Sequence, residues 1–213
     1  MKLTKHAHAC VELEKDGIRL AIDPGALTPT AAQVINDATA VLITHEHFDH
    51  LDTGALTTAL DTRPALRVYA PQGVCDQLGQ RDEQVFPVRA GDQFEAAGFR
   101  VRGHGRDHAL IHADVPLVEN VGYLIDEQVF HPGDAYTVPG VPVDLLLMPT
   151  SGPWTVTSEA VDFVRAVRPD RLVQIHELLL SELGQATMAR FLGQDGLTGI
   201  PLTILPLGES LTA

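Results

Sequence analysis

The sequence predicts an α/β fold in which stacked β-sheets are covered on the outside by helices. Three observations predict it. Short apolar or alternating runs recur along the chain, several of them joined by tight-turn signals. Two segments, Ser158–Val167 and Ser181–Leu192, instead repeat their apolar residues at helical spacing. The 213 residues contain no linker, internal repeat or low-complexity tract, so a single domain spanning 1–213 is expected.

The elements follow in order. Val11–Glu14 and Ile18–Ile22 flank Asp16-Gly17, a hairpin signal. Thr30–Asp37 reads as a short helix, and Val41–Thr44 as a buried strand. Thr53–Leu60 reads as a helix capped by Asp52 or Thr53. Leu66–Ala70 is a strand ended by Pro71-Gln72-Gly73, and Val74–Gly79 is helical. Val85–Val88 and Phe99–Val101 are strands on either side of the turn-rich Ala90-Gly91-Asp92. Val121–Ile125 and Gln128–Phe130 form a second hairpin. Leu145–Met148 is the continuous apolar run of a strand buried on both faces. The helix over Ser158–Val167 stops before Pro169. Leu172–Ile175 is a strand, Ser181–Leu192 a helix, and Ile204-Leu205 a last short strand.

The most informative stretch is Thr44-His45-Glu46-His47-Phe48-Asp49-His50. Three imidazoles and two carboxylates fall within six residues, directly after the apolar Ala40-Val41-Leu42-Ile43. A loop at the end of a buried strand can aim several side chains at one point. Imidazole and carboxylate are ligands for Zn²⁺ and similar cations. His45 and His47 share a parity, so an extended backbone sends both to one side. Asp49 and His50 follow once the chain turns, and face a second point nearby. The spacing therefore suits two metal ions better than one. Glu46 has the opposite parity and reads as an outer contact or a solvent-facing residue.

This stretch resembles the T-H-x-H-x-D-H motif of the metallo-β-lactamase superfamily, and further elements of that family follow in order. Asp23, in Leu20-Ala21-Ile22-Asp23-Pro24-Gly25, is similar to the family's early strand-ending aspartate. Gly133-Asp134 resembles the element whose aspartate bridges two metals, and His176 the last histidine ligand. The resemblance runs from about residue 3 to about residue 180. It sharpens the fold to a four-layer αβ/βα sandwich with the site at one edge between the sheets. It implies one ion held by His45, His47 and His108, and another by Asp49, His50 and His176, with Asp134 between them. Asp49 would also orient an attacking hydroxide, and Asp23 would hold a ligand histidine by its other ring nitrogen. Glu119–Ile125 followed by His131-Pro132-Gly133-Asp134 resembles the UlaG-like and YtkL-like branch of small cytoplasmic metal-dependent hydrolases. His8 is similar to an early histidine of that branch.

The family expects one histidine from a segment that offers His104, His108 and His112. His108, where the chain has left the strand, is preferred; the other two would then be outer contacts or touch substrate. Trp154, the only tryptophan, is a candidate for the pocket wall or the core, and Tyr136 a candidate donor to a developing oxyanion.

Charge bounds the substrate. Twenty-eight acids against 15 bases leave a net charge of −13, which opposes long polyanions. Arg100, Arg102 and Arg106 are the one local basic strip, so nucleic acid is a poor candidate. No run of 18 apolar residues and no signal-peptide core is present, and no membrane association is expected. With only Cys10 and Cys75, a reducing cytoplasmic location is expected, without a disulfide. The leading reading is a hydrolase with two divalent ions, zinc preferred over manganese, acting through a metal-bridging hydroxide on a small ester, lactone or phosphoester. The alternatives are a nuclease or cyclic-nucleotide phosphodiesterase, and a non-catalytic metal-binding regulator. The sequence leaves the oligomeric state open.

Overall fold

The computed structural model describes residues 1–79 and 81–213. The first half carries β1 (Lys2–Lys5), β2 (Val11–Lys15), β3 (Ile18–Ile22), α1 (Ala31–Asp37), β4 (Ala40–Leu42), α2 (Thr53–Thr62), β5 (Arg67–Ala70), α3 (Gln72–Leu78) and β6 (Val85–Pro87). The second carries β7 (Gln93–Ala96), β8 (Phe99–His104), β9 (Gly122–Ile125), β10 (Val129–His131), β11 (Leu145–Pro149), α4 (Thr157–Val167), β12 (Arg171–Ile175), α5 (Glu182–Leu192), β13 (Leu202–Thr203) and β14 (Ser210–Thr212).

Among the described residues the strands form two seven-stranded sheets. One runs β14-β1-β2-β3-β4-β5-β6, the other β13-β12-β11-β10-β9-β8-β7. Side-chain alternation along the strands separates three cores. Leu13, Leu20, Leu42, Phe99, Tyr123 and Leu147 meet between the sheets. Val41 and Val68 face the other way, against Leu56 and Leu60 of α2 and Val74 of α3. Leu146 and Leu172 pack on Ala160, Phe163 and Val164 of α4. The result is the four-layer αβ/βα sandwich. Truncating a buried ring such as Phe99 to Ala would cost about 3–5 kcal/mol.

Local chemistry explains most boundaries. Asp16 and Gly17 both take positive φ, as the two-residue turn between β2 and β3 requires. Asp52 caps α2 by accepting a hydrogen bond from the Ala55 amide. The apolar residues at helical spacing in α4, Ala160, Val161, Phe163, Val164 and Val167, are all buried. Cys10 and Cys75 are free; Cys10 lies buried just before β2 rather than within a strand.

Several elements differ from the sequence reading. The motif strand ends at Leu42, because the Thr44 amide turns to the Asp23 carboxylate instead of a strand partner. Strand β7 was not foreseen; its turn, Ala97-Gly98, lacks the usual Asn or Asp. The last predicted strand sits two residues earlier, at Leu202–Thr203, since pairing with β12 sets its register while Ile204 is 43% exposed. Strand β14 was also missed, and it pairs only with β1 at the sheet edge.

Candidate metal centre

Parallel pairing places the chemistry. Strands β3 and β4 run parallel, with Ile22 beside Leu42, so Asp23 and the His45 loop leave the same end of the sheet. Strands β10, β11 and β12 are likewise parallel, and Asp134, Trp154 and His176 lie in the segments after their C-terminal ends. Such ends are where open α/β sheets gather ligands. His108 joins from the loop after β8.

Two local devices set the loops. The His47 carbonyl accepts from the amides of His50 and Leu51, both at 3.0 Å, and this turn separates Asp49 and His50 from His45 and His47. The Asp23-Pro24-Gly25 loop docks on that turn so closely that any side chain at Gly25 would collide with the Asp49 backbone. In the second half Asn120 shapes the loop before Asp134. Its amide donates to the Pro132 carbonyl at 2.9 Å and its oxygen accepts from the Asp134 amide at 3.0 Å.

The donor atoms converge in two groups. His45, His47 and His108 form one; His8, Asp49, His50 and His176 form the other; a further set, His45, His50 and Asp134, links the two, and the atoms of each set lie within 4.8 Å of one another. His45 Nε2 lies 3.1 Å from His47 Nδ1, and His50 Nε2 lies 3.2 Å from His176 Nε2. The Asp134 carboxylate stands between the groups. Its Oδ2 is 3.4 Å from His108 Nε2 and 3.1 Å from His176 Nε2, and its Oδ1 is 3.1 Å from His50 Nε2.

The model for the β-lactamase superfamily domain matches residues 2–176. This chain belongs to the metallo-β-lactamase superfamily. Within it the chain falls in the UPF0173 group: a UPF0173 protein of Pyrococcus furiosus is 31% identical over 193 residues, 85% of this chain and 86% of its own. Protein Rv0786c of Mycobacterium tuberculosis is 40% identical over 186 residues, again 85% and 86% of the two chains. Among solved structures, the metallo hydrolase Igni18 of Ignicoccus hospitalis shares the fold, with a TM-score of 0.74, 20% identity and coverage of 99% and 97%.

The outer contacts of this superfamily member are long-range. Asp23 Oδ2 lies 2.7 Å from His50 Nδ1, and the same carboxylate accepts from both the amide and the hydroxyl of Thr44. The Trp154 indole donates to Asp134 Oδ2 at 2.8 Å, so this ring is a grip on the central carboxylate rather than a passive wall. His8 Nε2 lies 3.0 Å from Asp49 Oδ2. Sequence reasoning missed His131, which is fully buried. Its Nε2 donates to the Ala9 carbonyl at 2.9 Å and its Nδ1 accepts from the Gly133 amide, tying the N-terminal loop to the Asp134 loop. It also missed Lys5 and Glu177, a buried ion pair at 3.0 Å. The only sequence hint was a lysine on an otherwise core-facing strand parity.

Three candidates stay outside the donor groups. His104 remains in β8 with its ring edge-on to Phe130, and its Nε2 has no hydrogen-bond partner. His112 is on the surface beside Asp114. Tyr136 stacks on Phe163 and directs its hydroxyl to the Pro149 carbonyl at 3.4 Å. It therefore backs the Trp154 ring, 5.0 Å away, instead of offering a donor to an oxyanion. Glu46 leans over Gly73 at the start of α3.

The electrostatics suit a cation. Burial, then the neighbouring imidazoles, hold His45 and His47 below the usual histidine range, favouring the neutral, ligating form. Burial disfavours charge on His50 as well, yet the Asp134 and Asp23 carboxylates outweigh it and raise that ring well above its ordinary value. Burial likewise opposes ionisation of Asp134, and His50 and His176 overcome it. His108 Nε2 and Asp134 Oδ1 are buried without a hydrogen-bond partner. Unpartnered buried lone pairs are costly in a native fold, and imidazole with carboxylate is a zinc- or manganese-type ligand set. The residues present fit divalent ions.

Proposed function

We propose that this chain, a metal-dependent hydrolase of the metallo-β-lactamase superfamily, works with two divalent cations on a small ester, lactone or phosphoester. The hydrolytic class follows the family, whose UPF0173 members include a protein named as a metal-dependent hydrolase. The single observation carrying the two-ion reading is the position of Asp134, within 3.4 Å of a histidine from each donor group. His45, His47 and His108 would hold one ion, and Asp49, His50 and His176 the other, with Asp134 shared. Zinc is preferred over manganese, because histidines outnumber carboxylates in the set. Such ions acidify a bound water to a pKa of about 7 and polarise the attacked oxygen.

The chain's own groups do the rest. Burial favours the neutral acid at Asp49, but hydrogen bonds from His176 and His8 hold its carboxyl well below the usual carboxylate range. It is therefore ionised at neutral pH and placed to accept a hydrogen bond from the attacking water. Asp23 and Trp154 fix His50 and Asp134, so little reorganisation accompanies the reaction. Phe48 and Leu110, beside the ligand residues in sequence, are each 65% exposed. Apolar side chains on these loops support a substrate with an apolar substituent rather than a polyanion.

The test is metal analysis followed by a panel of chromogenic esters, lactones and phosphodiesters with Zn²⁺ and Mn²⁺. Two equivalents per chain with turnover of an ester or lactone is the expected result. Activity confined to a phosphodiester would favour a nuclease-like enzyme. Full occupancy with no turnover would favour a binding protein.

A further inference from the structure

His8 belongs to no part of the histidine motif, yet the fold drives it into the second donor group. It is completely buried, and its backbone takes φ +58°, a left-handed conformation that is unfavourable for a non-glycine residue. Such a conformation persists only where contacts over-determine it. Here they do. The His8 amide donates to Glu177 Oε1 at 3.1 Å, and the His8 carbonyl accepts from the His176 amide at 3.0 Å. Glu177 Oε1 also accepts from Lys5 Nζ at 3.0 Å, and Lys5 is itself buried and bonded to the His6 carbonyl. The His8 and His176 rings are in contact, with centroids 3.7 Å apart.

The outcome is one directed contact, His8 Nε2 to Asp49 Oδ2 at 3.0 Å. An ionised carboxylate has no proton to give, so this hydrogen bond requires the proton on Nε2. A ring nitrogen carrying that proton is not a metal ligand. Its Nδ1 is buried without a partner and supplies no second grip.

Resting on the two-ion reading, we propose that His8 is a positioning residue that fixes Asp49 with Oδ2 facing His50 and His176, and that the buried Lys5–Glu177 pair holds His8 in place for this. The chain of contacts is Lys5, Glu177, His8, Asp49. It joins the first strand to the second cation position and leaves His45, His47 and His108 untouched. Loss of a partner of this kind lowers metal affinity by roughly 10–100-fold.

The experiment is a Co²⁺ titration of chelated protein, followed by visible absorption, for the wild type and for His8→Ala, His8→Gln and Glu177→Ala. Gln places an amide N–H near the position of Nε2 and should restore the donor. The expected result is two equivalents in the wild type, with the weaker equivalent about 10–100-fold weaker still in His8→Ala and mostly recovered in His8→Gln. At saturating Co²⁺ the absorption bands should match the wild type, because the ligand set is unchanged. Glu177→Ala should weaken the same equivalent, and it reads the same chain of contacts if His8→Ala does not fold. Unchanged affinities in both His8→Ala and Glu177→Ala would overturn the proposal. So would altered bands at saturation, or a Gln variant as weak as Ala, since either makes His8 a ligand. A wild type that takes up fewer than two equivalents sinks the two-ion reading instead.

Discussion

The two donor groups differ in what stands behind them. In the first, support is local: His45 Nδ1 lies 3.0 Å from Thr44 Oγ1, and His108 Nδ1 donates to the Ala109 carbonyl at 2.6 Å, each an adjacent residue. In the second, support spans the chain. His50 is held by Asp23, Asp49 by His8, and His8 by Glu177, which pairs with Lys5 172 positions away. A locally supported group survives distant change. Both groups need the two halves of the fold closed, through His108 in the first and His176 in the second, but the second is also exposed, through its supporting contacts, to substitutions far along the chain.

The largest effect should come from the residue that belongs to both groups. Asp134→Ala removes the shared carboxylate, and activity should fall by about 10³-fold or more, as when one member of a cooperating set is lost. Metal analysis should find no more than one ion per chain. Two equivalents remaining would show that the groups do not share Asp134, and the comparison would lose its hinge.

Asp23→Ala should separate the groups. It strips His50 Nδ1 and both Thr44 donors of a buried partner. Each orphaned group costs about 1–3 kcal/mol, to be read by urea unfolding of the chelated protein. The equivalent held by His50 should weaken by roughly 10–100-fold and the other by less, since Asp23 reaches His45 only through the Thr44 hydroxyl. Equal weakening of both would mean that the groups are one unit.

These outer contacts also mark where sequence reading stops. The motif His45–His50, Gly133-Asp134 and His176 was legible, because each sits at the end of an apolar strand and needs only local pattern to be recognised. The α4 face was legible for the same reason. His8 was legible as a candidate but not in its role, since a left-handed backbone in the loop between β1 and β2 has no periodic signature. Glu177 and His131 were invisible and Lys5 showed only its strand parity, because these polar residues have partners 122 to 172 positions away. Tyr136 was misread: its place beside Gly133-Asp134 suggested an oxyanion donor, while ring stacking on Phe163 decides its direction. The short edge strands failed because register with a partner, not alternation, defines them.

The second group should also give the site its pH dependence. Burial opposes charge on His50 and His176, but Asp134, with Asp23 for the first and Asp49 for the second, raises both. A histidine raised on folding adds stability that is fully present below its unfolded pKa of about 6.5 and is lost as pH rises through the folded value. Chelated protein should therefore lose this contribution above that pH. Cation binding needs the deprotonated rings and strengthens over the same range. The gap in Tm between loaded and chelated protein should widen as pH rises above about 6.5. A constant gap would mean that these rings are already neutral without metal.

Trp154→Phe should be milder. It keeps an aromatic ring against Tyr136 and removes only the donor to Asp134 Oδ2. Metal affinity should drop about 10-fold, at the low end for an outer contact, with Tm nearly unchanged. Because Asp134 serves both groups, both equivalents should weaken together, unlike the Asp23 variant. A loss confined to one equivalent would assign Asp134 to that group alone.

The smallest effect sharpens the choice of the third histidine. His104, His108 and His112 lie in one short segment, and composition alone cannot rank them. Their placement does. His104 is still on β8, edge-on to Phe130, and His112 is bonded to the Asp114 amide at the surface. Only His108 reaches His45, His47 and Asp134. His104→Ala and His112→Ala should each keep two equivalents, unchanged affinities and full turnover, while His108→Ala loses the ion of the first group. Removing the His104 ring exposes its packing against Phe130, so a small fall in Tm is expected there and none for His112. If His104→Ala instead loses an ion, β8 must shift on metal binding, and the first group is not the locally supported one.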